Sequence, residues 1–208
     1  MSTSNLIRWG AIGAVFGGAV YLVSAILSTP LFTGDNPSWY QQNPLWYLVE
    51  FVGAVALLVG LVGLYLYLRR SPRFGRLGTG GFYMLVVVTA YNAILPLIAL
   101  ASGSAAESID SSLGPLYALG KMLAVLLFGI AILRTGTLPR AGAWLMLSAV
   151  PVVLVTIGSF IVGPEAFGDW SFPVAAGLFG LAFITLGYGL WTHRSDPVQP
   201  PARPAPVT

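Results

Sequence analysis

Apolar residues along this chain fall in six long blocks separated by short polar stretches. Each block holds the roughly 20 apolar residues that a helix needs to cross a hydrocarbon core of about 30 Å. Backbone groups in lipid must be hydrogen-bonded within their own segment, and the alternation of barrel strands is missing, so the blocks predict helices. The predicted spans are residues 6–28, 45–68, 79–101, 114–133, 142–162 and 172–191. We therefore expect an all-α polytopic membrane protein, a compact bundle of six transmembrane helices.

The charged residues between the blocks predict the orientation of the chain. Basic residues are confined to every second connection and to the two ends, namely Arg8, Arg69, Arg70, Arg73, Arg76, Arg134, Arg140, Arg194 and Arg203. The alternate connections carry only acids, namely Asp35, Glu107, Asp110, Glu165 and Asp169. Basic loops stay on the cytosolic side during insertion. This positive-inside topology predicts that the N-terminus and the C-terminus are both cytosolic.

The composition agrees with a membrane protein. Charged residues are 8% of 208 and hydrophobic residues 56%, with a mean hydropathy of +0.81, whereas soluble domains average about 25% charged residues. The net charge of +3 does not predict a nucleic-acid partner, because the arginines are spread over separate loops and tails. We expect them to contact the lipid bilayer through anionic headgroups. The composition and the number of spans are typical of a multi-pass protein in the plasma membrane of a prokaryotic cell.

The same pattern divides the chain into two segments. Residues 1–194 form one transmembrane domain, and residues 195–208, which include five prolines, predict a disordered Pro-rich cytosolic tail. The first block is expected to be a retained helix and not a signal peptide, because its apolar run is long and only Arg8 precedes it. The connection after it contains Trp39 and Tyr40. These rings predict either an interfacial aromatic belt or a loop folded over an outer opening.

Small residues recur at helical spacing on one face of three predicted spans. They are Gly10, Gly13 and Gly17, continued by Tyr21, Ser24 and Ser28, in the first span, Gly53, Ala56, Gly60 and Gly63 in the second, and Gly177, Gly180 and Gly187 in the sixth. Small side chains let helix backbones approach closely in a membrane. Two interpretations stay open: packing inside one bundle, or an interface with a second copy or a membrane-complex partner.

Two ionisable residues lie inside predicted spans. Lys121 lies 13 residues before Arg134, which places it about 20 Å from the cytosolic helix end at 1.5 Å per residue. Glu50 lies 19 residues before Arg69, about 28 Å from that end. A lone charge near mid-membrane costs about 2.5–3.5 kcal/mol, so we expect Lys121 to reach Glu50 or an aqueous pocket. The alternatives are two groups that never meet, a structural ion pair, and a site for a ligand or a proton.

Other polar residues fall at a similar depth. Asn92, Tyr91 and Tyr117 all lie in the outer half of their spans, whereas the inner half is nearly bare of polar side chains. Asn92 has a second interpretation, because it precedes Pro96 by four residues and would satisfy a carbonyl that the proline leaves unbonded. The shared depth predicts an outward-opening polar pocket. The candidate ligand-binding residues are Glu50, Lys121, Asn92, Tyr91 and Tyr117.

The residue types limit the chemistry. The chain has no cysteine, and its one histidine, His193, lies at the cytosolic end of the last span. Haem held between two histidines, zinc and di-iron centres therefore lack ligands, and no nucleophile with a neighbouring base is visible. We expect no cofactor, no metal, no catalytic residue and no enzymatic activity. The sequence favours a non-catalytic membrane subunit or small-ligand-binding bundle, and the alternative is a small secondary transporter that uses Lys121, Glu50 and Asn92 for substrate or proton binding.

Overall fold

The computed structural model describes residues 3–29, 44–162 and 171–192. Of these residues 92% are helical and none forms a strand, which confirms the all-α class. They form α1 (Thr3–Leu27), α2 (Pro44–Leu68), α3 (Gly75–Ala101), α4 (Gly103–Thr135), α5 (Arg140–Val162) and α6 (Ser171–Thr192). The loop with Trp39 and Tyr40 and the tail at 195–208 lie outside the described residues, so the predictions made for them stay predictions.

Five helices are long and apolar enough to cross a membrane. They are Thr3–Leu27, Pro44–Leu68, Gly75–Ala101, Ser112–Thr135 and Pro173–Thr192. In α5 the apolar stretch Arg140–Val155 is shorter than a full span. These helices indicate an integral, multi-pass membrane protein, while the sixth span and the direction of crossing stay predictions.

The helices form a closed ring in which each packs against its neighbours in sequence. α1 contacts α2, each later helix contacts the next, and α6 returns to pack against α1. Residues 69–74, residue 102 and residues 136–139 form short connections, so the helices that they join run antiparallel. We call the end of the bundle that carries Arg69, Arg134 and Arg140 the arginine end. The opposite end, where α3 passes into α4, is the distal end.

Backbone contacts join α1 to both of its neighbours in the ring. A methyl group on Gly63 of α2 would lie 2.5 Å from the Cα atom of Gly10, and one on Gly180 of α6 would lie 2.6 Å from the carbonyl oxygen of Gly18. Both distances are too short for a side chain, so the helices meet through their main chains, the close packing that stabilises membrane bundles. Internal packing thus accounts for these glycine faces, and an interface with a partner would have to use other residues.

The arginine half of the ring is filled by an apolar core. Its largest members are less than 2% exposed and come from α2, α3, α4, α5 and α6: Leu57, Leu61, Leu64, Leu68, Leu85, Phe128, Ile132, Met146, Phe183, Leu186 and Leu190. Among the described residues the buried polar side chains are Thr89, Lys121 and Thr135, and of these only Thr135 lies at the arginine end. Polar side chains inside the bundle are therefore concentrated in the distal half.

α4 begins earlier than the hydropathy pattern predicts. The predicted span started at residue 114, whereas the helix starts at Gly103 and includes Asp110, which we had placed in a loop. The chain reverses at one residue, since Ser102 is extended (φ −160°, ψ 101°) and donates its N–H to the carbonyl oxygen of Ile98. Hydropathy marks only the part of a helix that faces lipid, so it misses the polar first turns. The extension carries Asp110 alongside α3.

Candidate functional site

A cavity of about 240 Å³ lies in the distal half of the bundle, with residues of α1, α2, α3, α4 and α6 in its wall. All five candidate residues predicted from the sequence line it, namely Glu50, Tyr91, Asn92, Tyr117 and Lys121. Further polar groups come from Tyr21, Ser24, Ser28 and Asp110, and the apolar lining from Val20, Ala25, Leu95, Pro96 and Ala176. The structure therefore brings the five candidate residues together, although Glu50 and Lys121 are 71 positions apart in sequence.

Lys121 is the charged residue at the deepest part of this cavity. Its side chain is only 7% exposed, although it lines the cavity. Its Nζ atom lies 4.9 Å from the ring centroid of Phe179 and 5.8 Å from those of Tyr21 and Tyr117. All three distances fall within the roughly 6 Å over which an ammonium group is attracted to an aromatic face. Aromatic rings from α1, α4 and α6 thus surround the ammonium group.

Within residues 3–29, 44–162 and 171–192, Lys121 forms no ion pair with a carboxylate. Of the arrangements expected from the sequence, a direct pair with Glu50 is therefore not formed, and a position in a cavity is. Cation–π attraction offsets part of the cost of desolvating a buried ammonium group, but it supplies no lone pair to accept a hydrogen bond from the N–H groups. An anionic group entering the cavity would supply one.

Glu50 lies on the α2 wall, close to the distal end. The helix begins at Pro44, a residue suited to a first helical position because it has no N–H to leave unbonded. One turn before Glu50, the indole Nε1 of Trp46 donates a hydrogen bond of 3.1 Å to its Oε1 atom. This bond uses one of the two carboxylate oxygens and holds the half-buried side chain at the cavity.

Tyr21 also belongs to this site, although it was not among the predicted candidates. The amide nitrogen of Asn92 donates a hydrogen bond to the Tyr21 hydroxyl, so the side chain of Asn92 bridges α3 to α1 instead of bonding a carbonyl near Pro96. The signal was present in the sequence. Tyr21, Ser24 and Ser28 continue the glycine face of α1 at spacings of three and four, but the spacing of the stripe predicts only packing inside the bundle or an interface with a partner, and not a binding site.

A polar contact between α3 and α4 forms another part of the wall. The Tyr91 hydroxyl donates a hydrogen bond of 3.1 Å to Oδ1 of Asp110, and the rings of Tyr91 and Tyr117 lie 4.9 Å apart. Asp110 is exposed, whereas Tyr91 and Tyr117 are half-buried. The contact exists because α4 extends beyond its predicted start, so hydropathy alone could not have revealed it.

Aromatic side chains separate the cavity from the arginine half. Phe179 is 2% exposed and packs against both Tyr21 and Phe183, with ring centroids 5.6 Å and 4.8 Å apart. Phe183 belongs to the buried apolar core below. The site therefore has an apolar floor, a cation just above it, and carboxylates nearer the distal end.

The described residues contain no group of three or more His, Asp or Glu side chains that would hold a metal ion. What the arrangement offers is binding chemistry: an ammonium group and hydroxyl donors, two carboxylates, and short apolar walls. In comparisons with protein-family models, with curated proteins and with solved structures, this chain gave no match.

Proposed function

We propose that this chain is a six-helix protein of the plasma membrane that binds a small polar ligand in the distal cavity without transforming it. The observation that carries the proposal is the burial of Lys121 in a cavity, surrounded by aromatic rings and without a carboxylate partner in the described part of the chain. Charged residues at membrane depth are expensive and usually functional. A leucine or methionine would fill the same space at lower free energy.

The orientation proposed for the protein places the ligand outside the cell. The arginines at one end of the bundle favour a cytosolic location of that end, where they would contact anionic headgroups. α5 would then complete the sixth span, and the distal cavity would face the exterior. In this arrangement the protein acts as a receptor-like or accessory membrane subunit, and a partner chain would co-purify with it after gentle solubilisation.

The proposal is tested with the full-length protein in lipid nanodiscs, by measuring thermal unfolding against a panel of small acids, amines, zwitterions and sugars. We expect at least one compound to raise the unfolding temperature of the wild type and of Ser148→Ala, whose side chain bonds its own helix on α5 outside the cavity lining. The same compound should have no effect on Lys121→Met. A panel without any stabilising compound, or a shift that persists in Lys121→Met, would contradict ligand binding at this site.

A second candidate function is a small secondary transporter, favoured by the distribution of prolines. Pro96, Pro115 and Pro151 lie inside α3, α4 and α5, and Pro96 lines the cavity. A proline inside a helix removes a backbone hydrogen bond and favours bending of the helix, which alternating access would require near the binding site. Lys121, Glu50 and Asn92 would then bind substrate or a proton during alternating access. Uptake by proteoliposomes that is lost in Lys121→Ala and Glu50→Gln, with folding intact, would establish transport.

A further inference from the structure

The charged groups of the cavity lie at two depths. Helices rise 1.5 Å per residue, so Lys121 lies about 20 Å from the arginine end of α4 and Glu50 about 28 Å from the arginine end of α2. Side chains on both of these helices lean toward the distal end, because they lean toward the helix N-terminus. A cation is therefore deep in the cavity and a carboxylate is shallower by several ångströms.

The deep part of the cavity is suited to an anionic group. The Tyr21 hydroxyl accepts a hydrogen bond from Asn92, so its own proton is directed away from that amide and is available to an acceptor. The ring of the same tyrosine contacts the Lys121 ammonium group. An anion at this position would accept a hydrogen bond from Lys121 and another from Tyr21, which are charge-assisted bonds in a site shielded from water.

The shallow part is suited to a cationic group. Trp46 occupies one oxygen of the Glu50 carboxylate and leaves the second oxygen as an acceptor. Asp110, which also lines the cavity, keeps an acceptor oxygen in the same way after bonding Tyr91. Both carboxylates lie nearer the distal end than Lys121, so together they disfavour a ligand with a second negative charge and attract an ammonium group.

We infer that the ligand is a small zwitterion of the amino-carboxylate class, with its acidic group against Lys121 and its ammonium group against Glu50. This inference rests on the proposed ligand-binding function. The volume of about 240 Å³ lies below the roughly 300–1,000 Å³ of pockets that hold drug-sized molecules, so the ligand has the size of a single amino acid. The apolar side chains of Val20, Leu95 and Ala176 are available to a short hydrocarbon segment between the two charges.

The test compares matched compounds by isothermal titration calorimetry with full-length protein in nanodiscs. One set is alanine, propionate and ethylamine, and the other is 4-aminobutyrate, butyrate and propylamine, so each zwitterion is paired with analogues that lack one charge. We expect at least one zwitterion to bind about tenfold tighter than its carboxylate analogue, a difference of about 1.4 kcal/mol, and the amines to bind weakest. Glu50→Gln keeps an oxygen that accepts the hydrogen bond from Trp46. This variant should lower the affinity for the zwitterion to that for its carboxylate analogue. Lys121→Gln should abolish binding of both.

The possible results distinguish a failure of this inference from a failure of the proposed ligand-binding function. Carboxylates that bind as tightly as the zwitterions would overturn the inference that the ligand is a zwitterion, but the proposal of ligand binding would stand. A Glu50→Gln variant that weakens both classes equally would also overturn it, because Glu50 would then act on the fold and not on the ammonium group. If none of the six compounds binds to the wild type, the inference fails, and the wider panel decides separately whether any ligand binds. Ser148→Ala serves as the control and should match the wild type throughout.

Discussion

At the scale of single residues, Lys121 is the side chain whose presence the packing explains least. A buried ammonium group near the centre of a membrane costs about 2.5–3.5 kcal/mol on insertion scales, and a desolvated cation–π contact returns about 2 kcal/mol. Three rings around the same nitrogen share one charge, so their contributions do not simply add. The fold would therefore be served as well by an apolar residue of similar length.

This balance predicts that Lys121→Met makes the free protein more stable. Methionine keeps the length and flexibility of the chain and contacts aromatic rings favourably, while the desolvation cost of the charge disappears. We expect the free energy of unfolding to rise by about 1 kcal/mol, measured by thermal or denaturant unfolding in the same detergent as the wild type. A fall of similar size would mean that Lys121 is a structural residue.

At the scale of helices, two kinds of contact hold the ring together. α1 meets α2 and α6 through backbone atoms at several glycines, whereas α3 approaches the backbone of α4 at Gly81 and adds side-chain contacts nearer the distal end, where Tyr91 meets Tyr117 and Asp110. Backbone contact leaves no side chain that can change rotamer to relieve a clash. Where side chains meet, a change of rotamer can relieve a clash. The helices α3, α4 and α5 also contain internal prolines.

A pair of glycine substitutions compares a position at a backbone contact with a position that has open space. Gly63→Ala places a methyl group 2.5 Å from the Cα atom of Gly10, while Gly80→Ala on α3 meets nothing within 4 Å. We expect Gly63→Ala to lower the free energy of unfolding by about 1–3 kcal/mol through overpacking. Gly80→Ala should leave it unchanged or raise it by up to about 1 kcal/mol, because alanine is the better helix former. Equal effects of the two variants, measured by thermal unfolding, would contradict the packing of α1 against α2.

The helices show which features of the structure could be predicted from the sequence. The apolar blocks predicted the helices, and the positions of Glu50, Asn92 and Lys121 along them placed all three residues in the outer half of their spans. Depth along an axis does not say which face of each helix turns inward, so the partner of Asn92 and the rings around Lys121 were not predicted. The polar first turns of α4 were missed because hydropathy reports contact with lipid and not helix formation.

At the scale of the whole molecule, the cavity lies in one half of the bundle, the distal half. Polar groups occupy the distal half, and the apolar core with Phe179 and Phe183 closes the other. The side of the membrane that the distal end faces therefore decides from which compartment a ligand enters.

Labelling of single cysteines tests that direction, and the chain contains no cysteine that would interfere. Ala105 and Arg73 are both exposed and lie at the distal end and the arginine end, respectively. A membrane-impermeant maleimide should label Ala105→Cys in intact cells, and Arg73→Cys only after permeabilisation, because basic loops stay in the cytosol. The reverse pattern would invert the proposed topology and turn the cavity toward the cytosol.

The closure of the ring between α1 and α6 also has a consequence for biogenesis. α1 is synthesised before α6, so it finds one of its two close partners only when α6 has been inserted. Until then, Gly18 faces lipid or another protein, and the cavity lacks the wall that Ala176 and Phe179 provide. A chain interrupted before α6 would thus carry an open groove along α1.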